Sequence, residues 1–173
     1  GTWPASGWST SATCTYQGAP VTWAPATYHK RSGSKALWPH ASVVDPQYSW
    51  SLTAPPGVVC SSWAVYGPFS LADATDARMT FYLSFQLGAG DSVAWMASTN
   101  GTNFYGSGYT GQSYWPNWLQ ITFDLTNVYT LGDLTGEPQV WVAFRYDADD
   151  SQDFNEAAYV DDVLLEKYVE DVS

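Results

Sequence analysis

The most unusual chemistry in the sequence lies in residues 157–168 (AAYVDDVLLEKY), where two adjacent aspartates interrupt an apolar segment. Ala158 and Val160 are typical of a buried strand, and a carboxylate in such a strand must be paired, neutralised or protonated. Neighbouring strand residues point to opposite faces, so Asp161 and Asp162 cannot both enter one core. Three explanations are open: a metal ligand, a proton-sharing catalytic pair, or a strand-edge aspartate held by hydrogen bonds.

A calcium ion would neutralise the inward-facing carboxylate, because calcium binds about six to eight oxygen ligands. The chain has only six Lys and Arg residues, which leaves few partners for an ion pair. We therefore predict structural calcium at Asp161 or Asp162, completed by oxygens from the amino-terminal part of the chain. The acidic run 147–153 (DADDSQD) offers further candidate ligands in Asp147 and Asp149, but it lacks the spacing and glycine of an EF-hand loop. The alternative for that run is a solvated acidic turn.

The aromatic content is the second chemical signal, since ten Trp and twelve Tyr exceed what one core of this size requires. Sugar rings present apolar C–H faces, and exposed Trp and Tyr rings flanked by amides and carboxylates can bind them. Residues 104–118 (FYGSGYTGQSYWPNW) form the best candidate, as a link between strands. The predicted ligand-binding residues are Tyr105, Tyr109, Tyr114, Trp115 and Trp118. The alternative is a loop that folds its own rings onto the sandwich.

The two cysteines, Cys14 and Cys60, are either buried thiols or a disulfide. Few lysines and many Ser, Thr and Gly residues favour an extracellular setting, where a disulfide persists. We therefore predict a Cys14–Cys60 bridge in a secreted protein.

The charge balance narrows the range of partners. Seventeen acidic and six basic residues give a net charge of -11, which argues against nucleic acid and anionic membrane surfaces. No apolar run approaches the roughly 18 residues of a membrane span. A content of 17% aromatic and 13% charged residues, with 14 Gly and 10 Pro, is typical of a loop-rich β protein.

Strands with a period of two must position these side chains. In residues 140–146, Val and aromatic side chains alternate inward while Trp141 and Arg145 point outward. The alternating segments are 78–87, 93–98, 118–125, 139–147 and 157–168, with weaker candidates at 34–39 and 60–71. They predict an all-β antiparallel β-sandwich (jelly roll) and a single domain over residues 1–173.

Four segments in this order resemble the bacterial MAM-like, or choice-of-anchor J, jelly-roll domains: 29–38, 92–104, 140–151 and 157–166. The last segment is also similar to the end of jelly-roll carbohydrate-binding modules. The resemblance implies a non-catalytic module of a larger secreted protein. It also implies that an aspartate of the last strand, here Asp161 or Asp162, binds structural calcium.

The predicted function is binding of a polysaccharide or glycan through exposed aromatic rings, without catalysis. The alternative is an interaction or accessory domain that contacts a neighbouring domain of a secreted peptidase or hydrolase. A glycoside hydrolase is a remote alternative, because such enzymes need two carboxylates flanking the scissile bond. None of the four glutamates, at positions 137, 156, 166 and 170, lies in mid-strand beside an aromatic partner.

Overall fold

The computed structural model describes residues 2–171. These residues contain strands but no helix, and therefore no helix able to cross a membrane. The strands are β1 Trp8–Ala12, β2 Thr15–Tyr16, β3 Ala19–Pro20, β4 Ala24–Ala26, β5 Ala36–Trp38, β6 Cys60–Phe69, β7 Ala74–Gln86, β8 Ser92–Ser98, β9 Tyr105–Thr110, β10 Leu119–Asp124, β11 Val140–Ala148 and β12 Ala157–Val169.

Two five-stranded sheets form the predicted antiparallel β-sandwich. Sheet I has the order β1-β6-β11-β8-β9, and sheet II has the order β10-β7-β12-β5-β4. The short strands β2 and β3 form a separate two-stranded hairpin. Most neighbouring strands are distant in the sequence, so each face of a sheet combines side chains from widely separated segments.

The core follows from the alternation of apolar side chains on strands of both sheets. Phe81 of β7 and Phe144 of β11 are fully buried and meet edge to face, with ring centroids 4.9 Å apart. Because β7 belongs to sheet II and β11 to sheet I, this contact joins the two sheets at the centre of the sandwich. Burying each ring contributes about 1.5–3 kcal/mol.

The predicted disulfide between Cys14 and Cys60 is confirmed, with Cα atoms 5.5 Å apart. It joins the turn between β1 and β2 to the first residue of β6. Closing a loop with a sequence separation of 46 contributes on the order of 4 kcal/mol in the chain-entropy model.

His40 is a buried titratable residue within this framework. Its ring packs edge-on against Trp38 and Tyr146, with centroids 5.4 Å away in both cases. Its Nδ1 accepts a hydrogen bond from the Leu52 backbone N–H at 2.8 Å, so the ring is neutral with its proton on Nε2. Burial lowers the pKa of His40 from 6.5 to about 3.

The lowered pKa of His40 predicts acid sensitivity. Below the unfolded value of 6.5 only the unfolded chain takes up the proton, so stability is lost as the pH falls towards 3. At about 1.4 kcal/mol per pH unit, the loss is on the order of 3 kcal/mol at about pH 4. His40→Asn keeps an acceptor near Leu52 but does not titrate, so its unfolding free energy should fall less with acid. Urea denaturation at both pH values checks this, and equal losses for both proteins would contradict it.

Candidate functional site

The outer face of sheet I combines large aromatic and charged side chains with small side chains, which we call the floor of the face. Strand pairing places Arg145 of β11 beside Trp63 of β6 and Ala94 of β8. Two residues before Arg145 on β11, Ala143 lies beside Met96 of β8. The inward neighbours of these residues fill the core, so the alternation leaves Trp63, Ala94, Met96, Trp141, Ala143 and Arg145 on the outer face.

The loop between β8 and β9 forms one wall of this face. Ser98 Oγ accepts hydrogen bonds from the backbone N–H groups of residues 100 and 101, and Asn100 Oδ1 accepts from those of residues 102 and 103. Gly101 has a φ of 73°, and a Cβ there would lie 3.1 Å from the Trp141 ring. The loop is therefore tightly bonded within itself and packed on Trp141.

Phe104 extends from this loop across the face towards Trp63. The two ring centroids are 5.4 Å apart and the rings are tilted by 57°. Strands β11 and β8 separate β6 from β9 in the sheet, and neighbouring strands are about 4.8 Å apart. The contact therefore shows that the Phe104 loop arches over the small residues of the floor.

Glycines on the edge strand β9 open a groove beside this wall. Gly106 lies opposite Met96, and Gly108 lies opposite Ala94. A Cβ at these glycines would come within 2.0 and 2.3 Å of backbone oxygens of β8, so the close approach of the two strands requires glycine. A groove of about 290 Å³ runs along β8 and β9 beside Arg145.

An ion pair supplies polar groups at the groove. Arg145 Nε lies 3.1 Å from Asp147 Oδ2, and Asp147 Oδ1 accepts a hydrogen bond from Ser61 Oγ at 2.5 Å. The Arg145 guanidinium carbon is 5.5 Å from the Trp63 ring centroid. About a third of the Arg145 side chain is exposed, so it can donate hydrogen bonds to a ligand hydroxyl beside an aromatic ring.

Two of the five rings predicted to bind ligand belong to β9, although residues 104–118 were expected to link strands. Tyr105 and Tyr109 point inward because they alternate with the outward glycines. Tyr109 stacks on Phe85, with centroids 4.7 Å apart, and its edge borders the groove.

The other three predicted rings lie on the side of sheet II. Trp115 and Trp118 are half-buried against His29, with ring centroids 4.3 and 4.7 Å away. Tyr114 is 42% exposed. The structure therefore distributes the five rings over more than one place, with Trp115 and Trp118 together against His29, and ligand binding by these rings stays a prediction.

His29 belongs to a segment, residues 29–32, that packs on the outer face of sheet II. Its Nε2 lies 3.1 Å from Ser84 Oγ of β7, and its ring contacts Tyr159 of β12 edge-on. Burial lowers the pKa of His29, although the nearby Asp161 carboxylate raises it. Arg31 lies over the Tyr82 ring, 3.4 Å from its centroid. Together with Trp115 and Trp118, this segment covers the part of that face around Ser84 and Tyr159.

The two adjacent aspartates hold the 29–32 segment in place. Asp161 is buried, and its Oδ2 accepts hydrogen bonds from the backbone N–H groups of Arg31 and Ser32 at 2.7 and 3.2 Å. Asp162 is exposed; it forms an ion pair with Arg31 at 2.7 Å and accepts a hydrogen bond from Ser32 Oγ. The Ser32 and Arg31 hydrogen bonds lower the pKa of Asp162.

A β-bulge explains how both aspartates reach the same segment. Asp162 and Val163 together lie opposite a single residue of β7, and Asp162 has a φ of 52°. Such a bulge interrupts the alternation and redirects a side chain. Strict alternation, which would put the two carboxylates on opposite faces, does not hold here.

The acidic residues do not converge on one point. Asp147 lies on the outer side of sheet I and Asp161 on the outer side of sheet II, with the core between them. Asp149 lies in the following loop and accepts hydrogen bonds from Ser151. Within residues 2–171, no group of three or more His, Cys, Asp or Glu side chains could hold a metal ion. The partners of Asp161 are backbone N–H donors, and those of Asp162 are the Arg31 guanidinium and the Ser32 hydroxyl, so both carboxylates are stabilised by groups of the protein itself.

Comparison with known proteins supports the fold. No protein-family model and no curated protein matches the chain. The structure of TmCBM61 in complex with β-1,4-galactotriose has a TM-score of 0.56 and 12% identity, covering 94% of this chain and 90% of that one. A cleaved adhesin domain of Lys-gingipain from Porphyromonas gingivalis has a TM-score of 0.57 and 18% identity, covering 95% and 92%.

A family 11 carbohydrate-binding module from Clostridium thermocellum, in complex with a β-1,3-1,4-mixed-linked tetrasaccharide, is also similar. It has a TM-score of 0.52 and 15% identity, covering 96% of this chain and 92% of that one. At these identities the likeness establishes the shared fold. The resemblance to jelly-roll carbohydrate-binding modules is thus confirmed for the architecture, and the MAM-like or choice-of-anchor J resemblance stays a prediction.

Sequence reasoning missed Trp63, Phe104 and the role of the β9 glycines as a surface feature. A signal was present on β11, where the alternation predicts that Trp141 and Arg145 point outward. A Trp and an Arg on the solvent side of an otherwise apolar strand indicate a functional face. The sequence did not indicate that Trp63 belongs to the same face, because its position beside Arg145 depends on the pairing of β6 with β11.

Replacing Asp161 by Asn should lower the free energy of unfolding by about 2 kcal/mol, because hydrogen bonds to a charged group contribute about 1.5–3 kcal/mol. Urea denaturation measures the change. Asp76→Asn, at an exposed position of β7, is the matched control and should have little effect. Equal stability of Asp161→Asn and the wild type would contradict a stabilising role for the hydrogen bonds from Arg31 and Ser32 to Asp161.

Calcium at Asp161 or Asp162 stays a prediction, and the same proteins check it. If calcium binds there, the wild-type melting temperature rises with added calcium and falls after exhaustive chelation, whereas Asp161→Asn responds less. An unchanged wild-type melting temperature under chelation would leave the hydrogen bonds to Arg31 and Ser32 as the explanation.

Proposed function

We propose that the chain is a non-catalytic, extracellular β-sandwich module that binds a glycan chain on the outer face of sheet I. The observation that carries the proposal is a glycine-lined groove bordered by Arg145, with the rings of Trp63, Phe104 and Trp141 beside it on the same face. Aromatic rings offer flat apolar surfaces to sugar C–H faces, and Arg145 and Asp147 offer hydrogen bonds to hydroxyls.

The shape of the face favours a chain over a single sugar. The groove follows β8 and β9, and the aromatic residues extend the same face across β11 to β6. Ala94, Gly106 and Gly108, beside the rings, leave room for a ligand to lie along β8 and β9. A flat, elongated site of this kind suits several consecutive sugar rings of a polysaccharide.

Electrostatics favour a neutral glycan. The net charge of -11 repels uronate-rich or sulfated polymers. The positive charge of Arg145 in the groove is already paired with Asp147. Hydrogen bonding to hydroxyls, and not charge attraction, would therefore set the orientation of the ligand.

The structural neighbours support this proposal at the level of architecture. Two of them are described in complexes with oligosaccharides, β-1,4-galactotriose and a β-1,3-1,4-mixed-linked tetrasaccharide. The disulfide is compatible with an extracellular location. We also propose that the chain, as one domain, functions as part of a larger secreted protein.

A second candidate function is that of an interaction or accessory domain beside a secreted peptidase. The similarity to a cleaved adhesin domain of Lys-gingipain favours it. In that case the partner would be a neighbouring domain of the parent protein, and the aromatic face of sheet I would be a protein contact.

Trp63→Ala should weaken glycan binding about tenfold, equivalent to about 1.4 kcal/mol, because it removes a stacking surface. Calorimetric titration with β-galactan and mixed-linked β-glucan oligosaccharides measures the affinity. Tyr129→Ala removes a 76% exposed ring from the loop after β10, away from sheet I, and is the matched control. Absence of wild-type binding across a broad glycan array would contradict the proposal and favour the interaction domain.

A further inference from the structure

A second pocket lies on the sheet II side of the molecule, away from the face proposed above. It has a volume of about 230 Å³ and forms where the loop 45–50 meets Tyr28 and Glu156. Tyr28 follows β4, and Glu156 immediately precedes β12, both strands of sheet II. None of its lining residues belongs to sheet I.

Three aromatic rings around this pocket are exposed to solvent. Tyr48 is 81% exposed, Trp50 is 49% exposed and Tyr28 is 44% exposed. A single exposed ring is common on a protein surface, whereas three rings around one pocket form an apolar patch of the kind that ligands cover. Their convergence on one pocket therefore indicates a ligand with an apolar face.

The loop that carries Tyr48 and Trp50 is fixed at both ends. At its start, Asp45 Oδ1 accepts a hydrogen bond from the Gln47 backbone N–H at 2.9 Å, and the Asp45 carbonyl accepts one from the Tyr48 N–H at 3.0 Å. At its end, Ser51 donates hydrogen bonds to Asn155 from both N–H and Oγ. The backbone of the loop is thus held in place before a ligand arrives, which lowers the entropy cost of ordering the loop on binding.

A carboxylate lies at the floor of the pocket. Glu156 is only 8% exposed, and its Oε2 accepts a hydrogen bond from the Tyr159 hydroxyl at 3.3 Å. Within the described residues no donor contacts its Oε1, and that atom is not sealed from solvent. A buried side chain with a free acceptor oxygen facing a pocket can accept hydrogen bonds from ligand hydroxyls.

We propose that this pocket binds one neutral sugar ring, stacked on Trp50 with Tyr48 beside it and hydrogen-bonded through its hydroxyls to Glu156. The volume is below the roughly 300–1,000 Å³ of pockets for drug-sized ligands, so one ring fits and an oligosaccharide does not. The Glu156 carboxylate and the negative net charge disfavour acidic sugars. The proposal does not depend on glycan binding by the outer face of sheet I.

If both sites bind, one module can contact two sugar units of a cell wall or matrix at once. Two linked binding events raise the apparent affinity for a dense glycan surface far above that of either site. The sheet I face would bind along a chain, whereas the pocket would bind a chain end or a side-chain sugar.

The test is a titration of ¹⁵N-labelled protein with D-galactose, D-glucose, D-mannose, D-xylose and N-acetyl-D-glucosamine, followed by NMR. We expect at least one sugar to shift the Trp50 indole N–H signal and the signals of the loop 45–50. Trp50→Ala and Glu156→Gln should weaken that binding about tenfold. Trp63→Ala, on sheet I, should leave it unchanged, as should the control Tyr129→Ala.

The outcomes separate this proposal from the previous one. Sugar binding retained in Trp63→Ala and lost in Trp50→Ala supports the pocket, whatever the sheet I face does. Binding lost in Trp63→Ala and retained in Trp50→Ala places the glycan site on sheet I alone and overturns the pocket. Absence of shifts at the loop 45–50 with all five sugars also overturns it. Tyr48→Ala, at the most exposed of the three rings, provides a second variant if Trp50→Ala does not fold.

Discussion

The burial of the Asp161 carboxylate is the constraint that organises the outer face of sheet II. Its charge is stabilised by backbone N–H groups of Arg31 and Ser32, more than a hundred positions earlier in the chain. This tether docks the 29–32 segment on sheet II, where His29 packs against Trp115 and Trp118. The chain thereby covers the part of sheet II around Ser84 and Tyr159, while the outer face of sheet I keeps its aromatic residues at the surface.

The parts of the fold that the sequence predicts are those governed by strict alternation. Strands β7, β8, β10, β11 and β12 have the period of two in their own residues, so their existence and inward faces were predictable. Strand β9 was not predicted, because its sequence lacks a clear alternation of apolar and polar residues. Two of its outward positions are glycines, and a serine lies between its two inward tyrosines. Tyr105 and Tyr109 were therefore interpreted as surface rings, although pairing with β8 turns them inward.

The candidate sites depend on contacts between segments far apart in the sequence. The two-residue period of a strand predicts which way its own side chains point, but not which other strands lie beside it. Trp63 meets Phe104 only because the sheet order places β11 and β8 between their strands. The bulge at Asp162 likewise breaks the alternation that argued for one carboxylate on each face. The alternative of a strand-edge aspartate held by hydrogen bonds is right about the hydrogen bonds of Asp161, but β12 lies between β7 and β5 in sheet II. The donors, the backbone N–H groups of residues 31 and 32, were not identifiable from local pattern.

The glycine-rich strand β9 is also the edge of sheet I, since it pairs with β8 alone. An edge strand presents unpaired backbone donors and acceptors, and Gly106 and Gly108 give it no side chains on its outer side to block another strand. Mutual repulsion between strongly acidic copies opposes such pairing near neutral pH. That repulsion disappears close to the isoelectric point of about 4.1. The same opening that makes room for a ligand therefore exposes a strand edge through which concentrated solutions of the protein lose colloidal stability near that pH.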